Sequence, residues 1–350
     1  MNRLKFLKDK SIQPGYLYFY INFIVEIVCF YYLSMVTKGS LVVWILPFLY
    51  DAFAFVPQGI IGYINDKIPK LRVDMMGVIL LLLSYAIYLF TPLSVFVSLF
   101  ILCIGNCSLH VSGAILTLKT SNGKLSSPAI FVAGGSFGVI SGRLLSRYNF
   151  SPYLMFIFII TMIPFIILSR SYDNYKIKEV KYDYANKNIN PIIVVLVATL
   201  IVIVRGYMGY GIPTSWNKTV FQTVLLFCFM GIGKAFGGIL SDIFGIRKIG
   251  LLSTLLAIPF LAFGDHVMII SLFGVMLFSM TMSITLALIV SVLKRNPGLG
   301  FGFTTFGLFL GTAPIFFVNI PSTITNIIMI FILSLLCFLS LSVIIKKENR

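Results

Sequence analysis

The chain has 350 residues, of which 59% are hydrophobic and only 11% are charged. That composition excludes a water-soluble globule of this size, because too few polar residues remain to cover its surface. A net charge of +16 would suggest a nucleic-acid partner in a soluble protein, but here the basic residues lie between apolar runs, so we expect a lipid bilayer around the chain and no nucleic-acid partner.

Twelve apolar runs along the chain each have the length of one bilayer crossing, about 20 residues. The runs are too long for the strands of a membrane barrel and lack their alternating pattern, so the predicted fold class is all-α. The predicted spans are residues 17–36, 41–63, 74–91, 94–116, 127–146, 152–169, 191–212, 219–240, 249–263, 266–290, 299–318 and 322–345. The first span is predicted to be a retained helix, because it contains Glu26 and lacks the small-residue cleavage site of a signal peptide.

The cysteines give no sign of a metal site or a disulfide framework. All five fall inside apolar runs, and none has a paired spacing in a loop. We interpret them as helix-packing residues and predict no metal and no cofactor. The sequence also has no nucleotide-binding loop, so ATP is not implied.

Basic residues are distributed asymmetrically about the predicted spans. With a cytoplasmic N-terminus, 21 of the 27 Lys and Arg lie on the cytoplasmic side, and only Lys38, Arg147 and Lys218 lie on the other. This positive-inside pattern supports both the even number of spans and the orientation. It predicts a multi-pass protein of the cell (inner) membrane with both termini in the cytoplasm, in contact with anionic lipid.

One long polar connection divides the chain into two halves of six spans. The predicted domains are an N-terminal six-helix bundle over residues 1–170, a cytoplasmic central loop over 171–190 and a C-terminal six-helix bundle over 191–350. Two homologous halves would carry weak internal sequence symmetry, so equivalent loops of the two halves are the place to look for repeated motifs.

Two loops carry related patterns at equivalent positions of the two halves. Residues 62–72, at the end of span two, read GYINDKIPKLR, and residues 238–248, at the end of span eight, read GILSDIFGIRK. Both resemble the loop signature of the major facilitator superfamily, G-x-x-x-D-R/K-x-G-R/K-R/K. Pro69 replaces the motif glycine in the first copy, and Ile243 replaces the first basic residue in the second.

The resemblance implies a secondary transporter made of two pseudo-symmetric six-helix bundles that works by alternating access. In such a loop, the glycines allow close helix approach, and the aspartates pair with a neighbouring helix end or basic side chain. We expect these contacts to close the cytoplasmic gate in one state and to release it in the other. The predicted gating residues are Gly62, Asp66, Lys67, Lys70, Arg72, Gly238, Asp242, Gly245, Arg247 and Lys248.

Five charged residues fall inside the predicted spans. A charge near the centre of a helix costs roughly 2.5–3.5 kcal/mol on insertion scales, so each should face a cavity or a partner. These residues are Glu26, Asp51, Arg143, Arg205 and Lys234. The resemblance implies that spans one, four, seven and ten line a central cavity, which singles out Glu26 and Arg205 for a substrate or proton role. A structural ion pair between the halves is the alternative for this pair.

The predicted substrate and proton cavity consists of Glu26, Arg205, Asn22, Asp51, Asn106 and Ser283. Asp51 alternatively stabilises helix packing, because it shares a helical stripe with Asp66. Lys234 shares a stripe with Asp242, which favours a gating or snorkelling role over substrate contact. His110 lies nearer the cytoplasmic end, which favours a packing role over a proton relay.

The sequence therefore predicts a monomeric secondary transporter of a small solute, coupled to protons through Glu26 or Asp51. Gly134, Gly138 and Gly142 resemble the glycine-rich helix five of drug/proton antiporters, which favours export over uptake. Drugs, zwitterions, sugars and organic anions all remain open as substrates. The alternatives are a polytopic membrane enzyme, such as a lipid or glycan transferase, and a non-transporting sensor or channel. An enzyme would usually present a cluster of His, Asp, Glu or Lys at one membrane face, and the sequence shows none.

Overall fold

The computed structural model describes residues 9–38, 44–91, 94–172, 177–212, 214–317 and 323–347. Within these ranges the chain is helical apart from its connections and one isolated bridge. We number the helices α1 (Gln13–Thr37), α2 (Ile45–Phe55 and Gln58–Lys67), α3 (Val73–Phe90), α4 (Val95–Thr120), α5 (Ser126–Arg147), α6 (Leu154–Ser169), α7 (Pro191–Gly211), α8 (Val220–Phe244), α9 (Ile246–Phe263), α10 (Met268–Ser279 and Thr281–Val292), α11 (Pro297–Thr312) and α12 (Thr323–Ile344). The described residues thus contain twelve spans long and apolar enough to cross a membrane, and the predicted all-α architecture is confirmed.

Two of the twelve spans are interrupted, which the sequence reasoning did not predict. α2 is interrupted at Val56 and Pro57, because proline has no N–H to continue the helix and its ring displaces the preceding turn. α10 is interrupted at Met280 although no proline or glycine stands there. At that point Gly237 of α8 lies directly against the main chain of Met280.

The glycine repeat of α5 packs against α1. A Cβ at Gly138 would contact the carbonyl oxygen of Phe23 and would lie 2.7 Å from the Cβ of Glu26. Gly134 and Gly142 approach the main chain of α1 in the same way, one turn to either side. Small residues at this spacing allow two helices to pack backbone to backbone. The repeat therefore holds α1 against α5 and fixes the position of Glu26.

Two helix pairs, α2 with α11 and α5 with α8, form the main contacts between the first six spans and the last six. In the first pair Gly62 lies against Gly298, and Gly59 lies against Gly302. In the second pair Gly238 lies against the start of α5. The two interfaces occupy corresponding positions in the two halves, as expected for pseudo-symmetric bundles.

Basic residues gather at one end of the bundle, which we call the basic face. It is the end at which α2, α4, α8 and α10 terminate, and the other end is the opposite face. The described basic residues there include Lys67, Lys119, Lys124, Arg247 and Arg295, whereas Lys38, Arg147 and Lys218 lie at the opposite face. The tails over residues 1–8 and 348–350, to which the predicted orientation also refers, lie outside the described residues.

The central connection crosses the basic face and contacts both halves. Toward the second half, the N–H of Lys346 donates to the carbonyl oxygen of Tyr184 at 2.9 Å. The Lys346 ammonium donates to Asp183 at 3.0 Å, and this hydrogen bond lowers the pKa of the Asp183 carboxyl. Toward the first half, the Tyr182 hydroxyl lies 2.8 Å from the Ser121 hydroxyl, and the Tyr184 hydroxyl donates to the carbonyl oxygen of Gly123 at 2.7 Å. The connection thus bridges the two bundles on this face.

Candidate functional site

A cavity of about 480 Å³ lies between the two halves. Toward the basic face its lining includes Gln58 and Phe301, and toward the opposite face it reaches Thr37 and Thr312, the last residues of α1 and α11. Helices α1, α2, α4 and α5 supply one wall, and α8, α10 and α11 supply the other. We refer to it as the central cavity.

The side chains of Glu26 and His110 contact each other on the first-half wall of the central cavity. The Nε2 atom of His110 lies 3.2 Å from Oε1 of Glu26, and both side chains are almost buried. The Nδ1 atom of His110 lies 3.1 Å from the carbonyl oxygen of Asn106. Because a carbonyl oxygen can only accept, we assign a hydrogen to Nδ1, which donates it. The neutral imidazole then leaves Nε2 as an acceptor facing the carboxyl group.

The contact between Nε2 and Oε1 therefore accommodates one further proton. With that proton on the imidazole, an imidazolium faces a carboxylate; with it on the carboxyl group, Glu26 donates to the neutral ring. Without it, two acceptors would face each other at hydrogen-bond distance. Both side chains line the central cavity, so this contact is open to the space between the two halves. The predicted packing role of His110 gave no indication of this contact with Glu26.

Three polar residues on the same wall present acceptor atoms that have no hydrogen-bond partner among the described residues. They are Oδ1 of Asn22, Oε2 of Glu26 and Oε1 of Gln58. The amide nitrogens are used inside the protein: Asn22 donates to the carbonyl oxygen of Phe131 at 2.9 Å, and Gln58 donates to that of Ala54 at 2.6 Å. Buried acceptors are normally hydrogen-bonded, so this wall can receive donors from water or a solute.

The predicted cavity residues separate into two groups. Asn22, Glu26 and Asp51 line the central cavity, and the hydroxyl of Thr312 donates to Asp51 across the two halves at 3.4 Å. Asn106, Ser283 and Arg205 do not line it. The Asn106 amide donates to the Tyr50 hydroxyl at 3.1 Å, and the Ser283 hydroxyl donates to the carbonyl oxygen of Met280 at 3.4 Å.

Two cationic side chains, Arg143 and Lys234, line the central cavity, and a third, Arg205, lies beside it. Arg143 lies over the rings of Phe30 and Phe227, at 5.2 and 5.3 Å from their centroids. Lys234 lines the central cavity in the middle of α8. Arg205 lies in a smaller side recess of about 50 Å³, whose lining also includes Lys234. The structure therefore does not bring Arg205 into contact with Glu26, whose ring partner is His110.

At the basic face, each motif aspartate binds the N-terminus of a helix from the other half. The carboxylate of Asp66 accepts the main-chain N–H groups of Gly298 and Leu299 at the start of α11, at 3.1 and 3.0 Å. The carboxylate of Asp242 accepts those of Leu125 and Ser126 at the start of α5, both at 2.9 Å, and also the Ser126 hydroxyl. A negative charge at a helix N-terminus meets unsatisfied N–H groups and the positive end of the helix dipole.

The other signature residues lie near these two contacts but take no part in them. Gly245 has a φ of 94° and makes the turn between α8 and α9, where a non-glycine residue would be strained. The guanidinium of Arg247 donates to the carbonyl oxygen of Ile345 at 2.9 Å, and Arg72 pairs with Asp74 at 3.2 Å. The remaining basic residues of the signature are Lys67, which lies over the Tyr63 ring, Lys248, which lies over the Phe244 ring, and Lys70, which is exposed.

Solved structures of membrane transporters share this architecture over almost the whole chain. The human organic anion transporter MFSD10 (TETRAN) superposes with a TM-score of 0.64 at 11% identity, covering 95% of this chain and 99% of that protein. FucP, a major facilitator superfamily transporter in its outward conformation, gives 0.56 at 14% identity, covering 95% and 98%. A bacterial homologue of the iron transporter ferroportin in an outward-facing state gives 0.55 at 12% identity, covering 94% and 98%. No protein-family model and no curated protein matches the sequence. The protein therefore has the fold of the major facilitator superfamily of membrane transporters.

Proposed function

We propose that the protein is a proton-coupled secondary transporter that moves a small solute by alternating access between its two halves. The observation that carries this proposal is the cavity between the halves, which the two aspartate contacts close at the basic face and which reaches the helix ends at the opposite face. A solute can enter from the opposite face in this arrangement. Opening the two contacts would expose the same cavity at the basic face.

Coupling is assigned to the proton site formed by Glu26 and His110. The site lies on the cavity wall, so its proton exchanges with whichever side the cavity faces. Asp51 is the second candidate acid, because it also lines the cavity and its partner Thr312 belongs to the other half. We propose export over uptake because of the glycine pattern of α5. The direction of solute flux, compared between right-side-out and inverted vesicles, tests this proposal.

The test of this function is a flux measurement in proteoliposomes that contain a pH-sensitive dye. Adding solutes from a panel of drugs, amino acids, sugars and carboxylates should produce a lumenal pH change for at least one solute class, and empty liposomes should produce none. Solute flux that does not change when a pH gradient is imposed would refute proton coupling. Absence of flux for every class would refute transport itself.

The basic face is proposed to be cytoplasmic, in the cell membrane. The support is the excess of Lys and Arg on this face, which follows the positive-inside rule. Reporter fusions after Arg170 and after Arg350 should both give a cytoplasmic signal, since an even number of spans returns the chain to the side where it began. An extracytoplasmic signal at either position would contradict the orientation and the division into two halves of six.

A further inference from the structure

The two walls of the central cavity differ in charge. Besides Arg143, the first-half wall carries both carboxylates of the cavity, Glu26 and Asp51. Each already has a partner, His110 for the first and Thr312 for the second. Among the described residues that line the second-half wall there is a lysine, Lys234, and no acidic residue.

Lys234 stands where the central cavity meets the side recess. Lys234 lines both spaces, as do Met230, Met282 and Leu308. The recess holds a second cation, Arg205, and a hydroxyl, that of Ser279, and its described lining contains no acidic residue. The fold thus joins an apolar chamber to a small compartment lined by two positive charges.

Lys234 has no hydrogen-bond or ion-pair partner among the residues that the structure describes. A cation in the interior of a membrane is costly unless a counter-charge accompanies it, and membrane proteins place such residues at partners or at solute pathways. The acidic groups on the facing wall, Glu26 and Asp51, are engaged with His110 and Thr312. A bound anion would supply the missing counter-charge at the mouth of the recess.

The body of the central cavity suits an apolar group. Its lining includes the rings of Phe30, Phe55, Phe227 and Phe301. Sites for small molecules are commonly apolar chambers of 300–1,000 Å³ with a few polar groups that fix orientation. A cavity of about 480 Å³ falls within that range.

From these observations we infer that the solute is an amphipathic organic anion whose acid group binds Lys234 at the mouth of the Arg205 recess and whose apolar body lies among the aromatic rings. This inference rests on the proposed transport function and names its substrate class. Carboxylate, sulfonate and phosphate monoester groups share the required chemistry, since each presents several acceptor oxygens to an ammonium group. A permanently cationic solute would instead meet Lys234 without compensation.

The test compares ligands that differ only in charge, using the full-length protein purified in detergent. Phenyl, naphthyl and indolyl butanoates are each paired with the matching carboxamide and primary amine, and the melting temperature is followed against ligand concentration. At least one butanoate should bind 10-fold or more tightly than its carboxamide and its amine. Lys234→Gln should reduce butanoate affinity to the carboxamide level, and Lys234→Arg should retain most of it. Lys218→Gln, at an exposed lysine before α8, should bind like wild type.

Several results would overturn the inference: equal binding of the carboxamide or amine, unchanged butanoate affinity in Lys234→Gln, or no shift with any butanoate. Because the experiment measures binding without flux, it separates the two proposals. Binding of a butanoate through Lys234, together with absence of flux for every solute class, would refute transport and keep the ligand class. A cationic or uncharged solute that moves with protons, with no binding of butanoates, would refute the ligand class and keep transport.

Discussion

Glu26→Gln should abolish the proton-driven accumulation of solute while leaving solute exchange in place. A difference of one pH unit stores about 1.36 kcal/mol per proton, enough for roughly tenfold accumulation when one proton is coupled. Glutamine cannot carry that proton, so we expect the accumulation ratio in proteoliposomes to fall to about one. The fold should persist, because the glutamine amide can donate to the Nε2 atom of His110, which lies 3.2 Å from the carboxyl oxygen in the wild type.

Three further variants test whether the coupled proton is carried by Glu26 and His110. His110→Gln should also weaken accumulation, because the proton site loses one of its two members. Arg205→Ala should lower the affinity for solute and leave the coupling ratio unchanged, in keeping with its place in the recess. Asp51→Asn should accumulate solute normally. Full accumulation by Glu26→Gln would move the proton role to Asp51 or remove it altogether.

Asp66→Asn and Asp242→Asn should shift the protein toward the state that is open at the basic face. Each asparagine keeps one acceptor oxygen, but it places an NH₂ group against the second main-chain N–H and removes the charge at the helix N-terminus. A hydrogen bond to a charged group contributes about 1.5–3 kcal/mol, and the helix dipole adds about 0.3–1 kcal/mol. A loss of about 2 kcal/mol per site changes the ratio of the two states roughly 30-fold. The two losses should add in the double variant, because the sites share no residue.

The opening can be measured by the reactivity of a cysteine buried beneath the basic face. Ile115 of α4 is almost buried and lies against Gly298 of α11, so Ile115→Cys, in a background without the native cysteines, reports separation of the halves. Membrane-impermeant thiol reagent should label it faster in both aspartate variants. Asp265→Asn is the matched control, because Asp265 accepts two hydrogen bonds from Ser215 within one half. Unchanged labelling together with normal transport in both variants would refute the gating assignment.

The twelve spans were predictable because each depends on a local property, the apolar length of a run. The ends of the spans were harder to predict than their number. α1 begins at Gln13 and α2 extends to Lys67, beyond the apolar runs, because helices continue into the polar interface. Pro57 could have indicated the break in α2 from the sequence, because a proline interrupts a helix. The break at Met280 was not readable, since it coincides with a contact from Gly237 on another helix.

The candidate site was predictable in its residue types and less so in its pairings. Glu26 and Asp51 could be named because a carboxylate inside an apolar run is costly wherever it lies. The partner of Glu26 could not be named, because His110 is 84 positions away and only the packing of α1 against α4 and α5 brings it near. A buried acid and a histidine in the middle of another span are nonetheless a combination to test together. The side recess of Arg205 likewise depends on five helices meeting.

The glycine contacts between α2 and α11 bear on how fast the proposed gate can move. Gly59 meets Gly302 and Gly62 meets Gly298, so at these levels the two helices touch through main chain alone. Interlocked side chains would have to leave their rotamer wells before such surfaces could part, and each such change would raise the activation barrier. A glycine surface has no side chains that must change rotamer, so the two helices can separate at these levels with a lower activation barrier. At these levels the proposed gate would then be held closed chiefly by the Asp66 and Asp242 contacts, so substitutions at these two carboxylates should alter the rate of turnover.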